Sequence, residues 1–556
     1  MKYNKFELSV YFTSHNINAI KDINTFEKDF AEMEKHLKIG KVYLETYRVD
    51  EWVEKEKILK LKEFFQKKGI TVAGGITTAR LSEGRWKLFC YSSEEELKLL
   101  EKIIRFTAPI FDEIILDDFF FTNCRCDSCT KAKGKKSWSE YRTELLAEIS
   151  ERYIVKPAKE VNPNIKMVIK FPNWYEYYHE AGYNLEKEPY IFDGIYTGTE
   201  TRDTIYTQQN LPRYLSYFLM RYLENVKPGS NGGGWFDSFD CYNPLHYIEQ
   251  GYLTLFAKAR EVTLFCYGLI RDTIYVPVAG YAFEKLDKIL PDIGNPVGVA
   301  CYRPFHSSGE EYLHNVIGML GIPLEPYAEY PSESSTILLT ASAGNDPEII
   351  DKLEKSLKEG KTVIVTSGFI KKASDKFNKK IASVHPLNKT VPVSHFARDI
   401  WHCAYKDYKD SSVPITLPAM EYPTNDIWPV VVGMVGESSV PVLLSMSYGE
   451  GRLLILNIPV SFSDLYHLPE LALNRIRSEI LSGFPVLIEG SAKIGLFLYD
   501  NHTFIVESFL PHPTVIKLVL PKIKTIENLK TGEKLSSSNG KFEIGIDPGD
   551  YLIFKY

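Results

Sequence analysis

Two adjacent carboxylates, Asp117 and Asp118, end an apolar run, Glu113-Ile-Ile-Leu-Asp-Asp-Phe119, and a C-x-C-x2-C cluster, Cys124-Arg-Cys-Asp-Ser-Cys129, follows it. A strand rich in Ile, Leu and Phe has no packing reason to finish on two acids. At the C-terminal end of a parallel strand, acids are placed for chemistry. Alternation along the strand sends Asp117 and Asp118 to opposite sides, so only one of them points inward. Other apolar runs also close on polar residues: Leu44-Glu45-Thr-Tyr-Arg48, Lys170-Phe-Pro-Asn173-Trp174, Tyr196-Thr-Gly-Thr-Glu200-Thr-Arg202-Asp203 and Gly232-Gly-Gly-Trp235-Phe-Asp237. Carboxylates facing one another across a cleft are what glycoside hydrolysis needs. One acid protonates the leaving oxygen, and the other attacks the anomeric carbon or activates water. Their surroundings must drive their pKa values apart. Trp174 and Trp235 offer ring faces to a sugar, and Lys170, Arg202 and Glu45 offer hydrogen bonds. No Ser-His-Asp arrangement, phosphate loop or complete dinucleotide fingerprint occurs at a strand–helix turn.

Each of these residues has a structural rival role. Asp118 could cap or pair with an arginine, Glu200 could pair with Arg202 or Lys170, and Asp237 could serve in structural hydrogen bonding. Glu45 reads as a substrate acceptor or an ion-pair partner. His179 and His246 read as ordinary histidines. The run Gly232–Gly234 suits close backbone packing in a strand. Cys124, Cys126 and Cys129 suit a structural zinc, which wants four ligands in a closed site; Cys90 is the candidate fourth and Cys241 its rival. Cys266, Cys301 and Cys403 read as small buried hydrophobes.

The elements that must position these residues alternate between strand and helix. Strands are predicted at 6–13, 41–48, 71–78, 113–121, 166–174, 192–199, 233–240 and 261–268, with helices such as 53–68 and 138–160 between them. Gly69 stands where a helix C′ glycine belongs. Eight such units over residues 1–288 point to a (β/α)8 barrel. Residues 289–488 read as an open, flavodoxin-like α/β domain, with strands near 335–341, 360–368, 429–435, 441–447 and 451–458. Residues 489–556 read as short strands and turns, a small β-sandwich.

Bulk properties narrow the function classes. The chain of 556 residues is 44% hydrophobic with a formal net charge of -6, which supplies large cores and argues against a nucleic-acid partner. Aromatics reach 13%, and rings with polar handles suit either a wet, sugar-lined cleft or a Tyr-rich surface. The N-terminus shows no apolar leader and no run is long enough to span a bilayer, so neither secretion nor a membrane is expected. The cysteines form no disulfide-like framework, which suits a reducing, cytoplasmic compartment.

On Cys124-Arg-Cys-Asp-Ser-Cys129, with Cys90 upstream, and on its three-domain layout, the chain resembles the family-42 β-galactosidase-like glycoside hydrolases. The resemblance implies a barrel, a class I amidotransferase-like domain used in oligomer contacts, a C-terminal β-domain, a zinc clip and a homo-oligomer, dimer or trimer. That family carries Asn-Glu at the end of strand four; here the residues are Asp117-Asp118, and a strand-four Asp is more similar to the nucleophile of retaining α-glycosidases and α-L-fucosidases. The expected reading is an exo-acting glycosidase on short oligosaccharides or glycosides, with Asp117 as nucleophile, Glu200 as acid/base and no catalytic cofactor. The alternatives are Asp117 or Asp118 as acid/base with Asp237 as nucleophile, or a non-catalytic carbohydrate-binding scaffold. The middle domain lacks a Gly-x-Cys-x-Gly nucleophile elbow, so amidotransferase chemistry is not expected there.

Overall fold

The computed structural model describes residues 2–399 and 405–556 and divides into two compact units, Met1–Leu211 with Leu215–Pro291 and Pro212–Tyr214 with Asp292–Tyr556. In the first unit eight parallel strands pair in chain order: β1 (Glu7–Phe12), β2 (Ile39–Arg48), β3 (Thr71–Thr77), β4 (Glu113–Leu116), β5 (Lys166–Phe171), β6 (Gly194–Gly198), β7 (Asn231–Asp237) and β8 (Glu261–Phe265). Strand β8 returns to β1, from Glu7↔Glu261 to Tyr11↔Phe265, and closes the barrel.

One residue from every strand fills the interior: Tyr11, Tyr43, Ala73, Ile115, Val168, Tyr196 and Trp235, with Phe265 packed against them. A barrel of this size is a packed core and not a pore. Tyrosine content is therefore partly a matter of barrel filling, since rings from β1, β2, β6 and β7 take the place usually held by aliphatic residues. Gly75 on β3 makes room for this: a Cβ there would lie 2.3 Å from the Tyr11 hydroxyl oxygen.

The outer helices follow local rules. The helix Lys55–Lys67 is followed by Gly69 at φ +74°, a left-handed exit that favours glycine. Ser137 and Glu140 form a capping box at the start of Trp138–Ile149, which runs on through a π-helical stretch, Ser150–Val155, into Lys156–Val161. The expected strand 113–121 is cut short. Asp117 still donates its N–H to Ile76 (2.9 Å), but Phe120 N–H then bonds back to the Asp117 carbonyl (3.3 Å), and the chain turns.

In the second unit a nine-stranded sheet begins with five parallel strands in the spatial order Leu324–Tyr327, Val299–Tyr302, Thr336–Leu339, Thr362–Thr366 and Gly451–Leu456. This is the flavodoxin-like order, with the first strand second in space. Four antiparallel strands extend it, ending in the long hairpin of His385–Asp399 and Tyr405–Glu421. The C-terminal residues form a sandwich: Ile494–Tyr499, Thr503–Ser508 and Tyr551–Lys555 in one sheet and Leu487–Glu489, Thr514–Val519 and Lys541–Ile546 in the other. Leu496, Leu498, Phe504, Val506, Ile516 and Leu518 make its core. Among the described residues no helix is long and apolar enough to cross a membrane.

Candidate active site

The C-terminal ends of β2 to β7 bring one charged network together. Lys170, at the end of β5, is its hub. Its Nζ lies 2.6 Å from Asp118 Oδ2, 2.7 Å from Glu200 Oε1 and 3.8 Å from Asp117 Oδ1. The indole of Trp235 lies beneath, its ring centroid 4.5 Å from Nζ. The two adjacent aspartates therefore do not point to opposite sides. The strand has ended at Leu116, so pleat alternation no longer governs them, and both carboxylates reach the same ammonium.

Asp117 is also held from the β2 and β3 sides, by Arg48 Nη2 at 2.6 Å and the Thr77 hydroxyl at 3.0 Å. Its Oδ1 accepts the Asp118 N–H at 2.8 Å. Burial alone would raise its pKa, but the charges of Arg48 and Lys170 outweigh that and hold the carboxyl below the usual range. Asp118 goes the other way. Burial, joined by the negative charges of Asp117 and Glu200, outweighs Lys170 and pushes its pKa up to about 7. Glu200 is also raised, chiefly by burial, and its Oε2 is buried with no hydrogen-bond partner. Exposure separates the three: 21% of the Asp118 side chain is open, against 4% for Asp117 and for Glu200.

Arg202 grips Asp237 with two hydrogen bonds, 2.9 and 2.7 Å, in the fork geometry that suits a carboxylate. Its backbone is left-handed at φ +56°, and its N–H donates to Gln250 Oε1 at 3.0 Å. Asn173 donates to the Glu200 carbonyl at 2.6 Å and fixes the start of the β6 loop. His246 pairs with Asp203 at 2.9 Å, a structural contact beside the site.

Two expected substrate ligands are spent on structure. Glu45 is fully buried and accepts from Tyr11 Oη (2.8 Å), Ser14 N–H (2.8 Å), Thr77 Oγ1 (2.6 Å) and Arg48 Nε (2.8 Å), which makes it the ion-pair partner and leaves no oxygen for a sugar. Trp235 is 1% exposed and packs against Tyr11 and Phe265, because an inward residue of β7 belongs to the barrel filling; it offers a sugar no face. Trp174 is half-buried, with its ring against Phe121 (5.1 Å). From sequence Arg48 is only the polar close of its run, with no role of its own, and Thr77 and Trp86 carry none. The first two close strands β2 and β3 and carried a readable signal; Trp86 sits on a hairpin whose Glu83-Gly84 turn was the available clue.

Cys90, Cys124, Cys126 and Cys129 converge, their sulfurs all within 4.8 Å of one another. Cys90 Sγ lies 3.7 Å from Cys126 Sγ and 3.5 Å from Cys129 Sγ. Sulfurs at about 2.3 Å from a tetrahedral zinc stand about 3.8 Å apart, so the donor set and its edges fit a metal ion. Cys241 is elsewhere, buried beside Asp237 and Gln250. Cys266 and Cys301 are buried, and Cys403 lies outside the described residues. Gly232–Gly234 is strand β7, and a Cβ on Gly233 would lie 2.0 Å from the Glu261 carbonyl oxygen.

Known proteins agree with this layout. Uncharacterized protein SSO3021 of Saccharolobus solfataricus is 26% identical over 601 residues, covering 99% of each chain. Among solved structures, alpha-L-fucosidase isoenzyme 2 from Paenibacillus thiaminolyticus superposes with a TM-score of 0.70 at 13% identity, covering 100% of both chains. The beta-galactosidase from Bacillus circulans sp. alkalophilus does so with 0.67 at 11% identity, covering 100% of this chain and 99% of that one. These structural likenesses are of fold. Residues 294–461 match the model of the SSO3021 second domain, and residues 485–555 the model "Probable glycosyl hydrolase, C-terminal domain". Residues 1–285 match the model "Probable glycosyl hydrolase, catalytic domain", and the chain belongs to that family, a glycoside hydrolase built on a (β/α)8 barrel.

Proposed function

We propose that this glycosidase is retaining and exo-acting, working on short oligosaccharides or glycosides, with Asp118 as acid/base and Glu200 as nucleophile. One observation carries the reading: Lys170 Nζ touches both carboxyls, at 2.6 and 2.7 Å, so those two oxygens lie no more than about 5.3 Å apart. That bound falls short of the about 6.5–9.5 Å that leaves room for the water of an inverting enzyme, so it favours retention. Both groups hold protons more tightly than usual: burial, with the charges of Asp117 and Glu200, pushes Asp118 up to about 7, and burial raises Glu200. Asp118, the open one, suits proton exchange with a leaving group. Asp117, with both oxygens engaged, serves as the permanent anion that orients Arg48 and Lys170. The burial of the other carboxyls favours a short pit over an open groove, hence exo action.

The low pKa of Asp117 favours a second reading, with Asp117 as nucleophile and Glu200 as acid/base. The Arg202-bound Asp237 is a third nucleophile candidate. A 2-deoxy-2-fluoro glycoside of the accepted sugar decides among them, with α-L-fucosides and β-galactosides tried first. The label mapped to Glu200 by peptide mass supports the first reading; a label on Asp117 or Asp237 replaces it, and a product of inverted configuration removes retention altogether.

The four cysteines would hold one structural zinc, which would supply no chemistry at the carboxylates and would pin the β3 and β4 loops together. Elemental analysis giving one zinc per chain, lost in Cys126→Ser, tests this. The free cysteines favour a reducing, cytoplasmic setting, and the α/β domain is our candidate for homo-oligomer contacts.

A further inference from the structure

The connection after β3 carries a hairpin, Ala79–Ser82 with Arg85–Leu88. Its two-residue turn, Glu83-Gly84, has positive φ at both positions (50° and 72°), the turn that matches the twist of paired strands. Leu81 stands opposite Trp86 and Arg80 opposite Lys87, so the hairpin has two faces. One face is charged and anchored. Arg80 reaches Asp50 (3.2 Å) and Glu95 (3.7 Å), and Lys87 reaches Glu96 (3.3 Å). The Leu81 N–H adds a bond to Asp50 Oδ2 at 2.8 Å.

The other face is apolar and open: Leu81 is 54% exposed and Trp86 49%. A two-stranded hairpin is marginally stable in water and gains nothing from leaving such a cross-strand pair uncovered. Trp86 is also beside the chemistry. Its ring centroid is 4.7 Å from that of Phe119, the residue after Asp118. The Arg48 guanidinium that binds Asp117 lies 5.7 Å from the same indole. The open apolar face therefore borders the site beside Phe119 and Arg48, next to the turn that carries Asp118, the most open of the three carboxyls on Lys170.

We propose that Trp86, with Leu81 and Phe119, forms the wall that receives the leaving group of the substrate, a ring with an apolar face: a second pyranose or an aryl group. This rests on the glycosidase reading with Asp118 as acid/base, which puts the departing oxygen at that edge of the site. Aromatic stacking supplies area and orientation without charge.

The test compares native protein with Trp86→Ala and Trp86→Phe on three substrates of the accepted sugar: the nitrophenyl glycoside, a disaccharide, and the glycosyl fluoride, whose leaving group has no ring. Trp86→Ala is expected to lower kcat/KM on the nitrophenyl glycoside about tenfold, mostly through KM, as expected for losing about 1.4 kcal/mol of contact. The fluoride should change less than about twofold, and Trp86→Phe should recover most of the loss. An equal loss on the disaccharide identifies a sugar as the natural occupant; a disaccharide left unaffected identifies an aryl group. Equal losses on fluoride and nitrophenyl glycoside, or no loss on either, overturn the proposal. If the native protein cleaves no glycoside, the mechanistic reading falls separately. Calorimetric titration with nitrophenyl β-galactoside and α-L-fucoside then decides the wall: weaker binding to Trp86→Ala upholds it, and equal or absent binding overturns it.

Discussion

The two ends of the barrel each hold a buried lysine between carboxylates, and they differ in arithmetic. At the N-terminal end Lys41 Nζ lies 2.6 Å from Glu113 and 2.9 Å from Glu261, with Lys166 adding a second cation 2.9 Å from Glu113. Two cations meet two anions there. Although burial opposes it, the charges of Lys41 and Lys166 hold the Glu113 carboxyl below its usual range. At the C-terminal end Lys170 and Arg48 face Glu45, Asp117, Asp118 and Glu200. Negative charge is in surplus, and with burial it raises the pKa of Asp118, to about 7, and of Glu200. A balanced buried cluster suits a structural role; an unbalanced one has the shifted acidities that proton transfer needs. In the reading proposed above, the same residue types do structural work at one end and chemistry at the other, as the polarity of the barrel fold leads one to expect.

The sharpest way to break this comparison is to cut one member from each end. Asp118→Asn should fold normally and lose about 10²–10⁴ in kcat on glycosides with poor leaving groups, the usual worth of a general acid. Lys41→Met should keep kcat near the native value per folded molecule while costing about 3 kcal/mol of barrel stability, because Glu261 is left with no cation and Glu113 with Lys166 alone. Steady-state kinetics beside denaturant unfolding reads both. A Lys41→Met protein that is stable but inactive would erase the distinction.

Part of this architecture is legible in the residues themselves. Apolar runs such as the one bounded by Gly69 announce the barrel period, and ligand count calls for a fourth cysteine beside the cluster, with Cys90 and Cys241 as the two candidates; the structure brings Cys90 there. What the sequence hides is direction. Asp117 and Asp118 read as opposite-facing because nothing in Leu116-Asp-Asp-Phe marks where the strand stops; a hydrogen bond to Ile76, a residue of β3, and the turn after it decide that. Trp235 reads as a sugar platform because an inward and an outward tryptophan look alike in a string of letters. The hairpin spanning His385–Asp399 and Tyr405–Glu421 escapes for another reason: His385-Pro-Leu-Asn-Lys-Thr and Lys409-Asp-Ser-Ser are polar, and its pairing comes from a neighbouring strand rather than from local propensity.

Acidity sharpens the contrast with a sign. The folded pKa of Asp118, about 7, lies above its unfolded value. Its contribution to stability is present below the unfolded pKa and is lost as pH rises through 7. Glu113 has a depressed pKa, so its contribution is present above the unfolded value and is lost as pH falls. Asp118→Asn should therefore stabilise the protein at pH 8, by on the order of 2 kcal/mol, and change little at pH 4. Glu113→Gln should destabilise at pH 8, and its deficit should shrink on acidification. Urea titrations at the two pH values separate the variants, and equal signs at pH 8 would contradict the surplus-charge account. For activity, kcat/KM of the native enzyme should fall above pH 7 as Asp118 loses its proton.

The smallest effects come from the hydroxyl groups that bridge each cluster. Thr77 Oγ1 lies 2.6 Å from Glu45 Oε1 and 3.0 Å from Asp117 Oδ2, so a single proton serves two carboxylates. At the other end the Tyr43 hydroxyl accepts from Lys41 Nζ (2.8 Å) and faces Glu261 (2.8 Å) and, more distantly, Glu113 (3.3 Å), with the Lys41 ammonium already between them. Thr77→Val leaves one oxygen short in a site already rich in negative charge, and should cost about 1–2 kcal/mol at pH 7. Asp117 has its pKa held down by Arg48 and Lys170, so its stabilisation is present above the unfolded value and lost as pH falls; the Thr77→Val deficit should fade on acidification. Tyr43→Phe should cost about 1 kcal/mol, because Lys41 still neutralises both partners. Neither change touches Asp118 or Glu200, so kcat should stay within about tenfold of native in both. If Thr77→Val instead lost as much kcat as Asp118→Asn, the reacting carboxylate would be the one that Thr77 touches, and Asp117 would take over as nucleophile.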